Sequence, residues 1–153
     1  MGFSLVGTVI ALLLLLPSVV FFTLFPPLTM PEGLREAPLV FTILEKVGQV
    51  GCFGLLAVSK DRLRLGKFNA WALLMLGCIV IYYGLWFRYL GSGREFASLW
   101  TPFLLIPIAL AVIPVAAFGF AALWGRAPLL GAATAILALG HITVTWLSYL
   151  QIR

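Results

Sequence analysis

The chain has 153 residues, of which 63% are hydrophobic and only 10% charged, with a mean hydropathy of +1.13; soluble domains carry about 25% charged residues, so an ordinary water-soluble fold is excluded. The formal charge of +5 comes from ten dispersed basic residues, and the only cluster, Lys60 to Lys67, lies between two apolar windows. That placement fits a loop on the cytoplasmic side of a membrane and excludes nucleic acid as a partner.

A helix needs about 20 apolar residues to cross a hydrocarbon core about 30 Å thick, and windows of that kind occur at residues 5–25, 39–58, 69–90, 103–124 and 129–150. The expected fold is all-α: a polytopic membrane protein in which residues 1–153 form a single domain, a bundle of five transmembrane helices. The first window is leucine-rich but has no Lys or Arg before it and no A-x-A-like site after it, so it reads as a retained span and not a signal peptide. Pro17 is expected to bend it, and Pro26-Pro27 to end it. Residues 26–38 hold four prolines with Glu32, Arg35 and Glu36, the composition of a stiff loop free to lie over the bundle mouth.

The second window carries Glu45, Lys46 and Gln49 where lipid-facing helix would carry hydrocarbon. An ionisable side chain at that depth costs about 2.5–3.5 kcal/mol on insertion scales, so it faces a bundle interior or a water-filled cavity. Glu45, Gln49 and Cys52 recur at i, i+4 and i+7 on one face, and Gly48, Gly51 and Gly54 beside them permit close helix approach. Lys46 lies about 100° around the helix from Glu45 and must snorkel or pair elsewhere.

In the third window Tyr82, Trp86 and Tyr89 share a face. The first expectation for such a stripe is an interfacial aromatic belt; the alternative is a ligand-stacking wall, with Gly84 clearing space before Arg88. Gly91 to Glu95 is a glycine turn in which backbone amides and Arg94 can form a small anion nest. The fourth window holds Pro107 and Pro114, which free carbonyls that neighbours must satisfy, so a kinked span beside a cavity is expected. The fifth carries the only histidine, His141, with Thr134, Thr145 and Ser148 on the same helical face.

Lys60, Arg62, Arg64, Lys67 and Arg126 would mark the inner side and Arg35, Arg88, Arg94 and Arg153 the outer side. The density of the 59–68 loop sets a cytoplasmic N-terminus, and the lack of eukaryotic targeting features points to a bacterial inner membrane. At about 1.5 Å per residue, Glu45 and Gln49 lie roughly 9 and 15 Å below the outer edge, and His141 roughly 18 Å above the inner one. An outward-facing polar pocket follows, with Glu45, Gln49, Tyr82, Trp86, Arg88, Arg94, His141 and Thr145 as ligand-binding candidates and Glu45 pairing with Arg88 or Arg94.

The leading function is binding or transport of a small amphipathic or lipid-like ligand. A membrane-embedded enzyme acting on a lipid-like substrate and an accessory subunit are the alternatives. Membrane lipids and a small hydrophobic ligand are the expected partners, together with a second copy or a membrane partner subunit. Cys52 and Cys78 sit in apolar windows without Cys-x-x-Cys or Cys/His spacing, so no metal and no cofactor is expected, and no catalytic set is assigned.

Overall fold

A computed structural model of the protein describes residues 2–28, 31, 33–60, 62–63, 66 and 68–152. Five helical rods account for it: α1 (Leu5–Leu24), α2 (Leu39–Ala57), α3 (Ala70–Gly91), α4 (Ala109–Trp124) and α5 (Pro128–Ile152). There are no strands among the described residues. α1, α2, α3 and α5 are long and apolar enough to cross a membrane. α4, at 16 residues, is shorter.

The local chemistry explains these boundaries. Ser4 caps α1, its Oγ accepting from Gly7 N at 3.0 Å, and Asn69 caps α3 by accepting from Trp71 N and Ala72 N; each satisfies donors that a helix start leaves open. Pro128 stands at the start of α5, where its missing N–H is not needed. Pro17 lies inside α1 and does not interrupt it.

The fourth window departs from expectation. Instead of a helix from residue 103, a 3-10 turn (Phe96–Trp100) leads to a tight Phe103–Ile106 loop, and the helix begins only at Ala109. Pro102 and Pro107 account for the delay, because a proline disfavours helical geometry in the residue before it. Leu104 and Leu105 turn the loop at φ 47° and 68° and are 77% and 97% exposed.

The helices form a ring in the order α1, α2, α5, α4, α3, with α1 touching α3 to close it. On the α2–α5 seam glycines let backbones meet. A Cβ on Gly48 would fall 2.5 Å from the Leu137 backbone, one on Gly140 2.2 Å from Glu45 N, and one on Gly51 3.1 Å from the Ala133 side chain. Gly54, grouped with them by spacing, has nothing within 4 Å and plays no such part. α1 is fastened to α2 at the end bearing the basic loop: Ser4 N donates to Ala57 O at 2.7 Å, Gly2 N to Val58 O at 3.2 Å, and a Cβ on Gly7 would strike Leu56 O.

The two ends differ in their charges. Lys60, Arg62 and Arg126 gather with Gly2 at one end: Lys60 N donates to Gly2 O, and the Arg62 guanidinium donates to the Arg126 carbonyl. Arg64 and Lys67, counted with that cluster, lie outside the described residues, as do Glu32 and Arg153. At the other end the described parts of the connection after α1 are tied down. Tyr89 Oη donates to Phe25 O, Leu28 N to Arg94 O, and Arg35 exchanges two hydrogen bonds with the Gln151 side chain.

Candidate functional site

Inside the ring, toward the end opposite the basic loop, lies a cavity of about 480 Å3 to which all five helices contribute, within the span of about 300–1,000 Å3 typical of small-molecule sites. Its polar centre comes from α2 and α5. Glu45, Gln49, His141 and Thr145 all line it. The recurrence of Glu45 and Gln49 at i and i+4 lets Gln49 Nε2 donate to Glu45 Oε1 at 3.2 Å.

His141 Nδ1 meets the same oxygen at 2.8 Å. Two donors converging on one oxygen is the geometry of a carboxylate acting as acceptor. His141 lines the cavity, and Nε2 is the remaining polar atom of its ring. The pair is partly buried, with 13% of Glu45 and 27% of His141 exposed.

A local irregularity brings these two residues together. Residues Ala138–Ile142 form a π-turn within α5, a feature found mostly as single turns and often at functional sites. Gly140 presses its backbone onto that of Glu45, and His141, next in sequence, is thereby set beside the carboxylate. A residue with a side chain at 140 could not approach so closely.

A further part of the lining is aromatic. Tyr82 and Trp86 of α3 are buried, and Trp86 stacks on Phe21 with ring centroids 5.0 Å apart and meets Tyr82, Phe22 and Tyr89 edge-on. The Tyr82, Trp86 and Tyr89 stripe is therefore an interior cluster and not the interfacial belt that its composition suggested. Gly84 is exposed with nothing within 4 Å, so it clears no space for a neighbour. Leu99 and Trp100 of the 3-10 turn, with Ile108 and Pro114, complete this side.

The lining residues that are also exposed lie on two helices: Leu15, Val19 and Phe22 on α1 and Lys46 on α2. The cavity thus opens sideways, between α1 and α2, beyond the point where Gly7 holds them together.

Six of the eight sequence-derived candidates line this one space: Glu45, Gln49, Tyr82, Trp86, His141 and Thr145. Arg88 and Arg94 do not. The Arg88 guanidinium donates to the carbonyls of Thr101 and Pro102, at 2.7 and 3.4 Å, anchoring the irregular segment that precedes α4. Arg94 sits in the 91–95 turn at φ 61°, its carbonyl held by Leu28 N. The partner of Glu45 is accordingly His141 and not an arginine. On the remaining polar stripe, Thr134 Oγ1 donates to Leu130 O beside Cys52, and Ser148 donates to Val144 O, bonds internal to the helix.

Trp100, Ser18 and Phe22 also line the cavity and were not singled out from sequence. Trp100 lies in a short connection, where periodicity carries no signal, and Phe22 is one of many apolar residues in a uniformly apolar helix. Cys52 and Cys78 are free thiols, and no group of His, Cys, Asp or Glu among the described residues is arranged to hold a metal. A second cavity, about 340 Å3, lies at the basic end between Arg62, Ser59, Leu55 and Leu129 and contains none of the candidates. No protein-family model, curated protein or solved structure is significantly similar to this chain.

Proposed function

We propose that this protein is a five-span integral membrane protein, of a bacterial inner membrane with its N-terminus in the cytoplasm, that binds or transports a small amphipathic, lipid-like ligand. The observation carrying the reading is the lateral opening: a cavity with a carboxylate–imidazole pair and aromatic walls communicates with the lipid side through the gap between α1 and α2. A ligand that partitions into the bilayer reaches such a site without leaving hydrocarbon. Its apolar part remains near Leu15, Val19 and Phe22 while its polar part meets Glu45, Gln49 and His141.

Two features support counting α4 as the fifth span. It packs between α3 and α5, and the 3-10 turn and loop before it contribute Leu99, Trp100 and Ile108 to the cavity, the situation in which irregular backbone is tolerated at membrane depth. The gathering of Lys60, Arg62 and Arg126 with residue 2 supports the orientation in which the cavity is outward-facing.

A second reading, an enzyme acting on a lipid-like substrate, draws on one specific observation: Glu45 holds His141 through Nδ1, which orients Nε2 as a general base is oriented. Purified protein in vesicles, offered a panel of lipids and small hydrophobic probes, separates the two. Saturable binding without product supports the first reading, and turnover lost in His141→Gln supports the second. If Glu45→Gln leaves folding, binding and turnover all unchanged, the cavity is not a functional site.

A further inference from the structure

Taking the cavity as a lateral ligand site, the groups still unsatisfied within it define what a ligand has to bring. One oxygen of its carboxylate is already engaged, because Gln49 Nε2 and His141 Nδ1 converge on Glu45 Oε1. At the tryptophans of the same cavity the situation differs. The indole N–H groups of Trp86, which is 3% exposed, and of Trp100 are buried and close no hydrogen bond of normal geometry, with the Tyr82 hydroxyl adjacent to the former. An indole can only donate, and leaving a buried donor unmatched is unfavourable. Lys46, a further donor, stands at the mouth.

The unmatched donors, the two indoles within and Lys46 at the mouth, therefore call for accepting atoms on the ligand. We propose that the ligand's head is a flat ring bearing carbonyl oxygens at its two ends, the chemistry of a membrane quinone, with the attached tail leaving between α1 and α2. One oxygen accepts from the tryptophan wall, and the other accepts from Lys46 at the mouth. Tyr82 and Phe22 offer ring surfaces against which a planar head packs. A lipophilic cation fits less well, since it brings no acceptor and meets Lys46 on entry. A cavity of about 480 Å3 also matches a ring with the start of one tail better than the two chains of a phospholipid.

The test uses the full chain in phosphatidylcholine nanodiscs and a scintillation-proximity assay. The probes are a tritiated decyl-benzoquinone, the decylbenzene that lacks its oxygens, tetraphenylphosphonium and lysophosphatidylcholine. The quinone is expected to bind saturably, and decylbenzene and the cation to compete at least about tenfold more weakly. Trp86→Phe and Trp100→Phe keep a ring and lose the N–H, so each should weaken quinone binding by about fivefold, the equivalent of one ordinary hydrogen bond, without changing the affinity for decylbenzene; Trp86→Phe also loses packed ring volume and lowers the unfolding temperature. Equal affinity for the quinone and decylbenzene, or full affinity in both tryptophan variants, overturns the assignment. Binding of the cation or the lysolipid in place of the quinone overturns it too, yet leaves the lateral site standing; no saturable binding by any probe removes the site and this assignment together.

Discussion

α2 has two seams, and they are built in opposite ways. Against α5 it is sealed by glycine on both sides, Gly48 pressing on Leu137 and Gly140 on Glu45, so that backbone meets backbone. Against α1 it is fastened at the basic end, by Gly7 under Leu56 and the Ser4–Ala57 hydrogen bond, and then parted, with Leu15, Val19, Phe22 and Lys46 along the opening. In a bilayer, apolar surface gains little by turning inward, so small residues that permit close packing decide where helices join. The Glu45–His141 pair occupies the place where the sealed seam turns toward the parted one.

The largest effect should come from forcing the sealed seam apart. Gly140→Val and Gly48→Leu place side chains where backbone already lies; each is expected to cost about 3 kcal/mol or to abolish folding, read as loss of the unfolding transition in detergent. Gly54→Ala, on the same helix with open space around it, should be neutral or stabilising by about 0.5–1 kcal/mol. If the three variants behave alike, the seam does not depend on close approach.

Next in size is the pair itself. His141→Ala leaves the Glu45 carboxylate with Gln49 alone, and should destabilise by about 1–2 kcal/mol, the scale of a lost hydrogen bond to a charged group in a partly open site. Glu45→Gln retains an acceptor for the ring and should cost less, about 1 kcal/mol. Chemical-denaturant titration of both variants, alone and combined, measures the coupling, and additive losses would mean that the two side chains do not interact.

Filling the parted seam should leave stability nearly unchanged while altering access. Val19→Trp adds bulk at the opening, where there is no packed neighbour to displace; ligand affinity should fall by about tenfold, equivalent to ~1.4 kcal/mol, with thermal unfolding held. The smallest change is expected for Lys46→Gln: an exposed side chain at the mouth should alter stability by no more than about 0.5 kcal/mol.

Individual residues show how far the sequence could be read. Glu45 and Gln49 were legible because helical spacing fixes which residues share a face and because polar groups in an apolar span need partners. His141 was legible as a polar residue in the last span, but its partnership with Glu45 was not: the choice between histidine and arginine depends on a π-turn and a glycine contact that pair residues 96 positions apart. Arg88 was expected beside Glu45, whereas the Thr101–Pro102 backbone gives its guanidinium carbonyls to bond, a pairing that no helical spacing announces. The tyrosine and tryptophan stripe of α3 has the composition of an interfacial belt, and only its neighbours, Phe21 and Phe22 above all, put it inside.

By itself the sequence determined that the chain is helical and suited to a bilayer, since hydrocarbon tolerates only backbone whose hydrogen bonds are closed locally, and it marked which helix faces are polar. Tertiary structure decided the order of the ring, the late start of α4, the seam that stays open and the partner of Glu45. These depend on contacts between distant residues, where a missing Cβ or one widened helical turn moves a side chain from one neighbour to another, and no local pattern of residues encodes that outcome.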